Sequence, residues 1–206
     1  MFRQRIRIFL AVVVLPSMLN VVHAEDAVEA AEKTKETRSA KMVDMTLRNG
    51  ALKLKVDATW KKPAKKRSSI LEAEFAVPPA KDDPAPGRLT MMRSGGSIKQ
   101  NVERWFGQFI QPDGKATKEV AKVTEKKANG QKVTIVDITG TFKESTGGGP
   151  FAPGKIVSRK DYRMLGGIVQ TKFGQYFFKL YGPKKTVAKA EKSFDAMIDS
   201  VAPSSP

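Results

Sequence analysis

The sequence predicts an α+β domain over residues 42–202: a mainly antiparallel sheet of about eight strands flanked by two main helices. Three observations carry this prediction. Two Asn-Gly dipeptides, Asn49-Gly50 and Asn129-Gly130, each sit between segments of alternating apolar residues, the pattern of a β-hairpin. Residues 98–110 and 184–201 instead place apolar residues at helical spacing. Residues 133–142 are apolar on both faces, as in a central strand covered on both sides.

In chain order, residues 1–24 read as a secretory signal peptide. Arg3, Arg5 and Arg7 form a basic start, residues 8–22 an apolar stretch, and Val22-His23-Ala24 a small-residue cleavage site. Pro16, Ser17 and Asn20 interrupt the apolar run, which argues against a retained membrane anchor. No cysteine follows to carry a lipid. Export to the periplasm or beyond is expected, with no transmembrane segment once the signal is removed. Residues 25–41 are rich in Ala, Glu, Lys and Thr and lack large apolar side chains, so a flexible linker or a frayed helix is expected there. Residues 203–206 form a tail.

In the first hairpin, a two-residue Asn-Gly turn pairs Leu47 with Leu52, Met45 with Leu54 and Val43 with Val56, placing all six on one face. Trp60 and the basic run Lys61-Lys62-Pro63-Ala64-Lys65-Lys66-Arg67 follow as an exposed loop. Lys61, Lys62, Lys65, Lys66 and Arg67 are candidate anion contacts beside an aromatic ring. Leu71, Ala73, Phe75 and Val77 alternate as a half-buried strand with Glu72 and Glu74 on its outward face. Residues 80–87 form a loop and residues 89–93 the next strand.

The strongest helix signal is at residues 95–110. Ile98, Val102, Trp105, Phe106, Phe109 and Ile110 fall on one apolar face. Ser97 and Gln100 form a capping box, Gly95-Gly96 lets the chain turn in, and Pro112 is the expected stop. Asn101, Arg104 and Gln108 make a polar stripe beside the apolar one. It serves either to hold a neighbouring loop or as one wall of a ligand cleft. Gly95, Gly96 and Ser97 place free amides at the helix N-terminus, where an anion can bind.

Beyond it, the second hairpin sets Ala121 and Val123 opposite Ile138 and Val136, with Gly140 as a candidate bulge. Residues 143–160, with Gly147-Gly148-Gly149-Pro150 and Pro153-Gly154, read as a long mobile loop and a candidate lid. Residues 162–169 and 176–181 read as another strand pair. In the last helix Val187, Ala190, Phe194, Met197, Ile198 and Val201 form an apolar stripe. Lys184 and Lys185 at its start, with Asp195 and Asp199 toward its end, reverse what the helix dipole prefers.

The formal charge is +16, and removing Arg3, Arg5 and Arg7 leaves +13. Such a surface favours anionic partners: acidic polysaccharide, a membrane surface, or an acidic envelope protein. Export argues against a dedicated nucleic-acid role. The lysines are also scattered as a solubilising surface requires.

The chain has no cysteine, and its one histidine, His23, leaves with the signal. That excludes disulfides, His-assisted or Cys nucleophiles, and His/Cys metal or haem sites, so no metal, cofactor or catalytic residue is assigned. Gly149 to Lys155 fits Gly-x4-Gly-Lys, but Ile156 stands where the Mg²⁺-binding hydroxyl is needed, and Pro150 and Pro153 remove cradle amides. Asp82-Asp83 lacks the companion oxygens of a calcium loop. Paired carboxylates remain open as chemistry, with Glu72, Glu74, Asp137 and Asp161 as candidates. Within its apolar strand, Asp137 is expected to pair with a Lys or Arg.

Two blocks, residues 95–109 (Gly-Gly-Ser-Ile-Lys-Gln-Asn-Val-Glu-Arg-Trp-Phe-Gly-Gln-Phe) and residues 176–201 (Tyr-Phe-Phe-Lys-Leu-Tyr-Gly-Pro and the helix after it), resemble a family of exported bacterial proteins without an assigned activity. The element order resembles the photosystem II extrinsic-protein/Ran-binding Mog1-like fold, an antiparallel sheet flanked by helices that ends in a helix with a Phe-x-x-Met stripe. The second resemblance implies accessory and binding roles. The expectation is an exported, non-enzymatic accessory or binding protein of the cell envelope with an anionic or protein partner. A carboxylate-dependent hydrolase of envelope polysaccharide and a basic surface-coating protein without a specific ligand are the alternatives.

Overall fold

Alternation builds two sheets, and two helices cover opposite faces of the larger one. A computed structural model describes residues 40–147 and 154–204. The signal peptide, the linker before Ala40 and most of the Gly-x4-Gly-Lys segment fall outside the described residues. The elements are β1 (Met42–Leu47), β2 (Leu52–Asp57), β3 (Ala73–Val77), β4 (Gly87–Ser94), α1 (Ile98–Phe106), β5 (Phe109–Ile110), α2 (Thr117–Val120), β6 (Lys122–Ala128), β7 (Gln131–Thr146), β8 (Lys155–Thr171), β9 (Gly174–Pro183), α3 (Lys184–Asp199) and β10 (Ala202–Pro203). A three-stranded sheet runs β1-β2-β10. A seven-stranded sheet runs β3-β4-β9-β8-β7-β5, with β6 also paired to β7. All pairings are antiparallel, so the domain is α+β with two main helices.

Period-2 patterning decides which side of the large sheet each residue faces. Along β9, Tyr176, Phe178 and Leu180 join the core beneath α3, with Phe75, Leu89, Met91, Val187, Phe194, Met197 and Ile198. Phe177 and Tyr181 face the other way and pack with Val102 and Trp105 of α1, Val136, Ile138, Phe142, Met164 and Ile168. The small sheet closes over the α3 side through Leu52, Leu54 and Val56.

The first hairpin has the expected register: Leu47 opposite Leu52, Met45 opposite Leu54, Val43 opposite Val56. Val123 opposes Val136 in the second. Gly140, at φ +145°, sits where the β7–β8 register slips, so it is a bulge.

Four expectations need correction. Trp60 is buried in the α3-side core, because Lys61 pairs backbone-to-backbone with Ala76 and pulls the loop onto the β3 edge. Glu74 is buried too, because Arg88 on β4 and the Arg67 amide reach its carboxylate. The α1 helix ends at Phe106, not before Pro112: Phe109 and Ile110 pair with Phe142 and Thr141, and Lys143 N–H donates to the Gln108 carbonyl. Sheet pairing thus supplies the backbone bonds that another helical turn would have supplied. Residues 143–160 are not a loop for most of their length. The β7–β8 ladder continues out to Thr146 opposite Lys155, fastened by Arg159–Glu144 at 2.9 Å. The expectation for residues 133–142 holds: β7 is an interior strand, bonded to β8 on one side and to β5 and β6 on the other, with Val133 in one core and Val136 and Ile138 in the other.

The reversed charges on α3 are answered from elsewhere in the chain. Asp83, in the loop before β4, accepts the Thr186 amide at 2.7 Å and the Thr186 hydroxyl at 2.6 Å, placing a carboxylate at the helix N-terminus. Near the C-terminus, Lys126 pairs with Asp199 at 2.7 Å. Replacing Asp83 by Ala is expected to cost about 1 kcal/mol in urea unfolding, the ordinary value of a lost N-terminal cap.

Candidate functional site

Between α1 and the outer face of β4 and β9 lies a cavity of about 300 Å³. Its floor is three cross-strand pairs: Met92 opposite Phe177, Thr90 opposite Lys179, and Arg88 opposite Tyr181. Asn101, Arg104, Trp105 and Gln108 form one wall, and Ser68 and Leu71 of the loop before β3 form the other. One end is therefore apolar (Met92, Phe177, Trp105), and the other is cationic and phenolic (Arg88, Lys179, Tyr181).

The apolar wall forms because Gly166 of β8 has no side chain, so the Trp105 ring lies directly on the strand. Trp105 meets Phe177 edge-on, ring centroids 6.0 Å apart. Asn101 is buried and ties α1 to the preceding turn, donating to the Gly95 carbonyl at 3.0 Å and the Ser97 carbonyl at 2.9 Å. Its own carbonyl accepts from Arg104 Nη1 at 3.3 Å.

The cationic end is unevenly satisfied. Arg88 Nε pairs with the buried Glu74 at 2.7 Å, and Arg88 Nη1 donates to the Tyr181 hydroxyl. Burial alone would raise the Glu74 carboxyl. The hydrogen bonds from Arg88 and from the Arg67 amide nevertheless hold it below its usual range. Burial pushes the Tyr181 phenol up, so it stays protonated. Lys179 has no carboxylate within 4 Å among the described residues. Its Nζ donates to Gln108 Oε1 and lies 5.0 Å and 4.9 Å from the Phe142 and Tyr181 ring centroids. The rings favour the ammonium. Desolvation, with the Arg88 charge, outweighs them and brings the amine down to about 7. Lys179 keeps some exposed surface at the cavity, yet protein surrounds its amine densely.

The structure separates the residues singled out in the sequence into three groups. Asn101, Arg104 and Gln108 line the cavity together. Gly95 and Gly96 line a different surface hollow with Arg93, Ser94, Gly174 and Gln175. Ser97 is engaged in the capping box with Gln100. Those three lie outside the cavity, because the turn feeds α1 from the end farthest from Lys179. In the basic run, Lys61, Lys62, Lys65, Lys66 and Arg67 are all exposed. Lys62 covers the Phe75 ring at 5.8 Å, Lys66 Nζ donates to the Leu71 carbonyl, and Arg67 reaches Glu74 and Glu144 at 3.8 Å. Only the end of the run, leading to Ser68, borders the cavity.

Sequence reasoning missed Arg88, Thr90, Lys179 and Tyr181. The available signal was Lys179 itself, a lone cation within Tyr-Phe-Phe-Lys-Leu-Tyr. The candidate carboxylates do not converge on a cavity. Glu72 accepts the Arg48 amide, and Glu74 pairs with Arg88. Asp137 is bound by Arg163 on the opposite face of the sheet, and Asp161 sits exposed in a left-handed conformation on β8. Among the described residues, no group of three or more acidic or histidine side chains is placed to hold a metal. No helix there is long and apolar enough to cross a membrane.

No family model matches the chain, and no curated protein matches it. Solved structures do. The solution structure of cyanobacterial PsbP (CyanoP) from Synechocystis sp. PCC 6803 is similar at TM-score 0.48 and 9% identity, covering 82% of this chain and 95% of that one. The Ran-binding protein Mog1p of Saccharomyces cerevisiae is similar at TM-score 0.45 and 10% identity, covering 80% of this chain and 96% of that one. PA94 of Pseudomonas aeruginosa, a protein of unknown function, is similar at TM-score 0.42 and 10% identity, covering 80% of this chain and 99% of that one. The chain is thus structurally similar to PsbP, Mog1p and PA94, while its α+β class rests on the strand order and pairing given above.

Proposed function

We propose that this chain is an exported, non-enzymatic binding protein of the cell envelope that holds a small anionic ligand in the cavity between α1 and the β4–β9 face. The supporting observation is the charge imbalance there. Three basic groups, Arg88, Arg104 and Lys179, surround the cavity, and Glu74, which engages Arg88, is the carboxylate beside them. Such a concentration of positive charge is costly in the empty protein and is relieved by an anion. Arg104 uses one donor, toward Asn101, and retains others for a carboxylate or phosphate. The apolar end suits a ligand with an aromatic or aliphatic body. The basic surface draws such ligands toward the domain.

Trp105 lines the cavity and Trp60 does not, so a Trp60→Phe protein carries its single indole at the site. Benzoate and inorganic phosphate, titrated separately, distinguish an organic carboxylate from a phosphate. Saturable quenching by at least one is expected, and Arg104→Gln should weaken it about tenfold, the scale of one charge-assisted hydrogen bond. Quenching that is unsaturable for both anions, or indifferent to Arg104, counts against the proposal. The export component is tested by sequencing the N-terminus of the cellular protein. Glu25 is the expected first residue, and an uncleaved Met1 would oppose it.

Two opposite pH trends follow from Lys179. The unfolded lysine returns to about 10.4, so between pH 7 and 10 the unfolded chain binds more protons than the folded one. Through this group, the free protein gains stability as pH rises across that window. Anion affinity does the reverse, falling above about pH 7 as the ammonium is lost. Melting and titration at pH 6, 7.5 and 9 should show both trends, and Lys179→Met should flatten both.

A further inference from the structure

We propose that the cavity captures carboxylate-bearing carbonyl compounds, 2-oxo acids in particular, by reversible imine formation at Lys179 Nζ. This inference rests on the anion-binding reading above and assigns that site a covalent step. Lys179 lines the cavity in the middle of the floor, opposite Thr90 and diagonal to Arg88 on the same face. Arg104 stands on the facing wall, so a guanidinium is available for the carboxylate while the carbonyl carbon meets the amine.

The neighbours of Lys179 limit what holds its proton. Arg88 on β4 and Arg104 on α1 are cations. Tyr181 on β9 is a protonated phenol, Gln108 is neutral, and Glu74 on β3 is engaged by Arg88. Burial and the Arg88 charge bring the Lys179 amine down to about 7, so far more of it is the free, nucleophilic base at pH 7 than of an ordinary lysine. A desolvated lysine near other cations is the usual setting for an imine-forming nucleophile.

The step balances without any redox partner. The Nζ lone pair adds to the carbonyl carbon, and the carbonyl electrons move to oxygen, which takes a proton from water. The nitrogen gives up one proton to water. The resulting hydroxyl takes a proton from water and leaves as a water molecule while the nitrogen lone pair closes the C=N bond, and the iminium so formed gives its remaining N–H proton back to the solvent hydroxide. Amine and carbonyl become imine and water. Protonation of the imine restores a cation between the two arginines, which the bound carboxylate offsets.

The experiment is reductive trapping on the purified full chain with pyruvate and cyanoborohydride at pH 7, followed by peptide mapping. One adduct at Lys179 is expected, formed at least about tenfold faster than at exposed lysines such as Lys99. Methyl pyruvate, which keeps the ketone and lacks the carboxylate, should lose that selectivity. Lys179→Arg removes the nucleophilic amine, so it should give no selective adduct. Pyruvate adducts spread over exposed lysines, with Lys179 no faster, would overturn the proposal. If benzoate nevertheless binds, only the imine step falls. If benzoate fails too, the anion site falls with it.

Discussion

Replacing Gly166 by Ala is expected to destabilise the domain by about 1–3 kcal/mol, and replacement by Val by more. A Cβ at this position would stand 2.3 Å from Trp105 Cζ3, 2.8 Å from Cε3 and 2.9 Å from Cη2. The indole is rigid, is held edge-on by Phe177, and sits on a helix whose far end is tied down by Asn101. It cannot yield without moving α1. The neighbouring Gly167 is the control. Its Cβ would meet Ile198 Cδ1 at 2.7 Å, the far end of a flexible side chain, so Gly167→Ala should cost less. Urea unfolding of the two variants checks the order. Gly166→Ala should also impair the cavity, because Trp105 is its wall, whereas Gly167 faces α3 and should leave anion binding alone. Equal losses in both variants would show that the Trp105 packing is looser than described.

The second large effect is expected at Arg163. Its side chain, 11% exposed, bonds both oxygens of Asp137 at 2.8 and 2.9 Å and both oxygens of Glu191 at 2.8 and 2.9 Å. It joins β8, β7 and α3. The hydrogen bonds it donates to Asp137, against the opposing effect of burial, raise the guanidinium pKa above its ordinary value. Arg163→Met leaves Asp137 part-buried without its cation, which should cost about 3 kcal/mol, near the lower end for breaking a buried pair. Glu191 is more exposed, and water takes up most of its loss. Asp137→Asn should cost less than Arg163→Met, because Arg163 keeps Glu191. Denaturant midpoints of the two variants test that asymmetry, and the reverse order would contradict it.

The parts of this fold legible in the sequence are those governed by local period. The Asn49-Gly50 register follows from alternation and a turn that tolerates positive φ: Asn49 has φ +50° and Gly50 +92°. The α3 stripe follows from 3.6-residue spacing. Where the reading failed, a long-range contact decided. Phe109 and Ile110 continue the α1 apolar face in sequence, but an open edge of β7 offers them backbone partners. Glu74 alternates like a solvent-facing residue, and only the arrival of Arg88 and the Arg67 backbone on that face buries it. The β7–β8 extension lacks a buried face that alternation could reveal.

The site divides in the same way. Asn101, Arg104 and Gln108 are visible because helical spacing puts them on one side, and Gln108, just past the end of α1, keeps to that side in the structure. Lys179, Arg88 and Tyr181 lie 70 or more residues from at least one of their cavity partners in sequence, as in the Gln108–Lys179 contact at a separation of 71. Which of the two β9 faces Lys179 occupies depends on how β9 pairs with β4. A lone cation in an apolar strand marks a question that only the tertiary structure answers.

Calorimetric titration of the full chain with benzoate at pH 7.5, in two buffers of different ionisation enthalpy, tests the anion site most directly. Saturable binding should take up a fraction of a proton, because the anion draws Lys179 back to its ammonium. The uptake should vanish and the affinity drop in Lys179→Met. Binding of unchanged strength in Lys179→Met, with no proton exchanged in either protein, would contradict this assignment of the cavity.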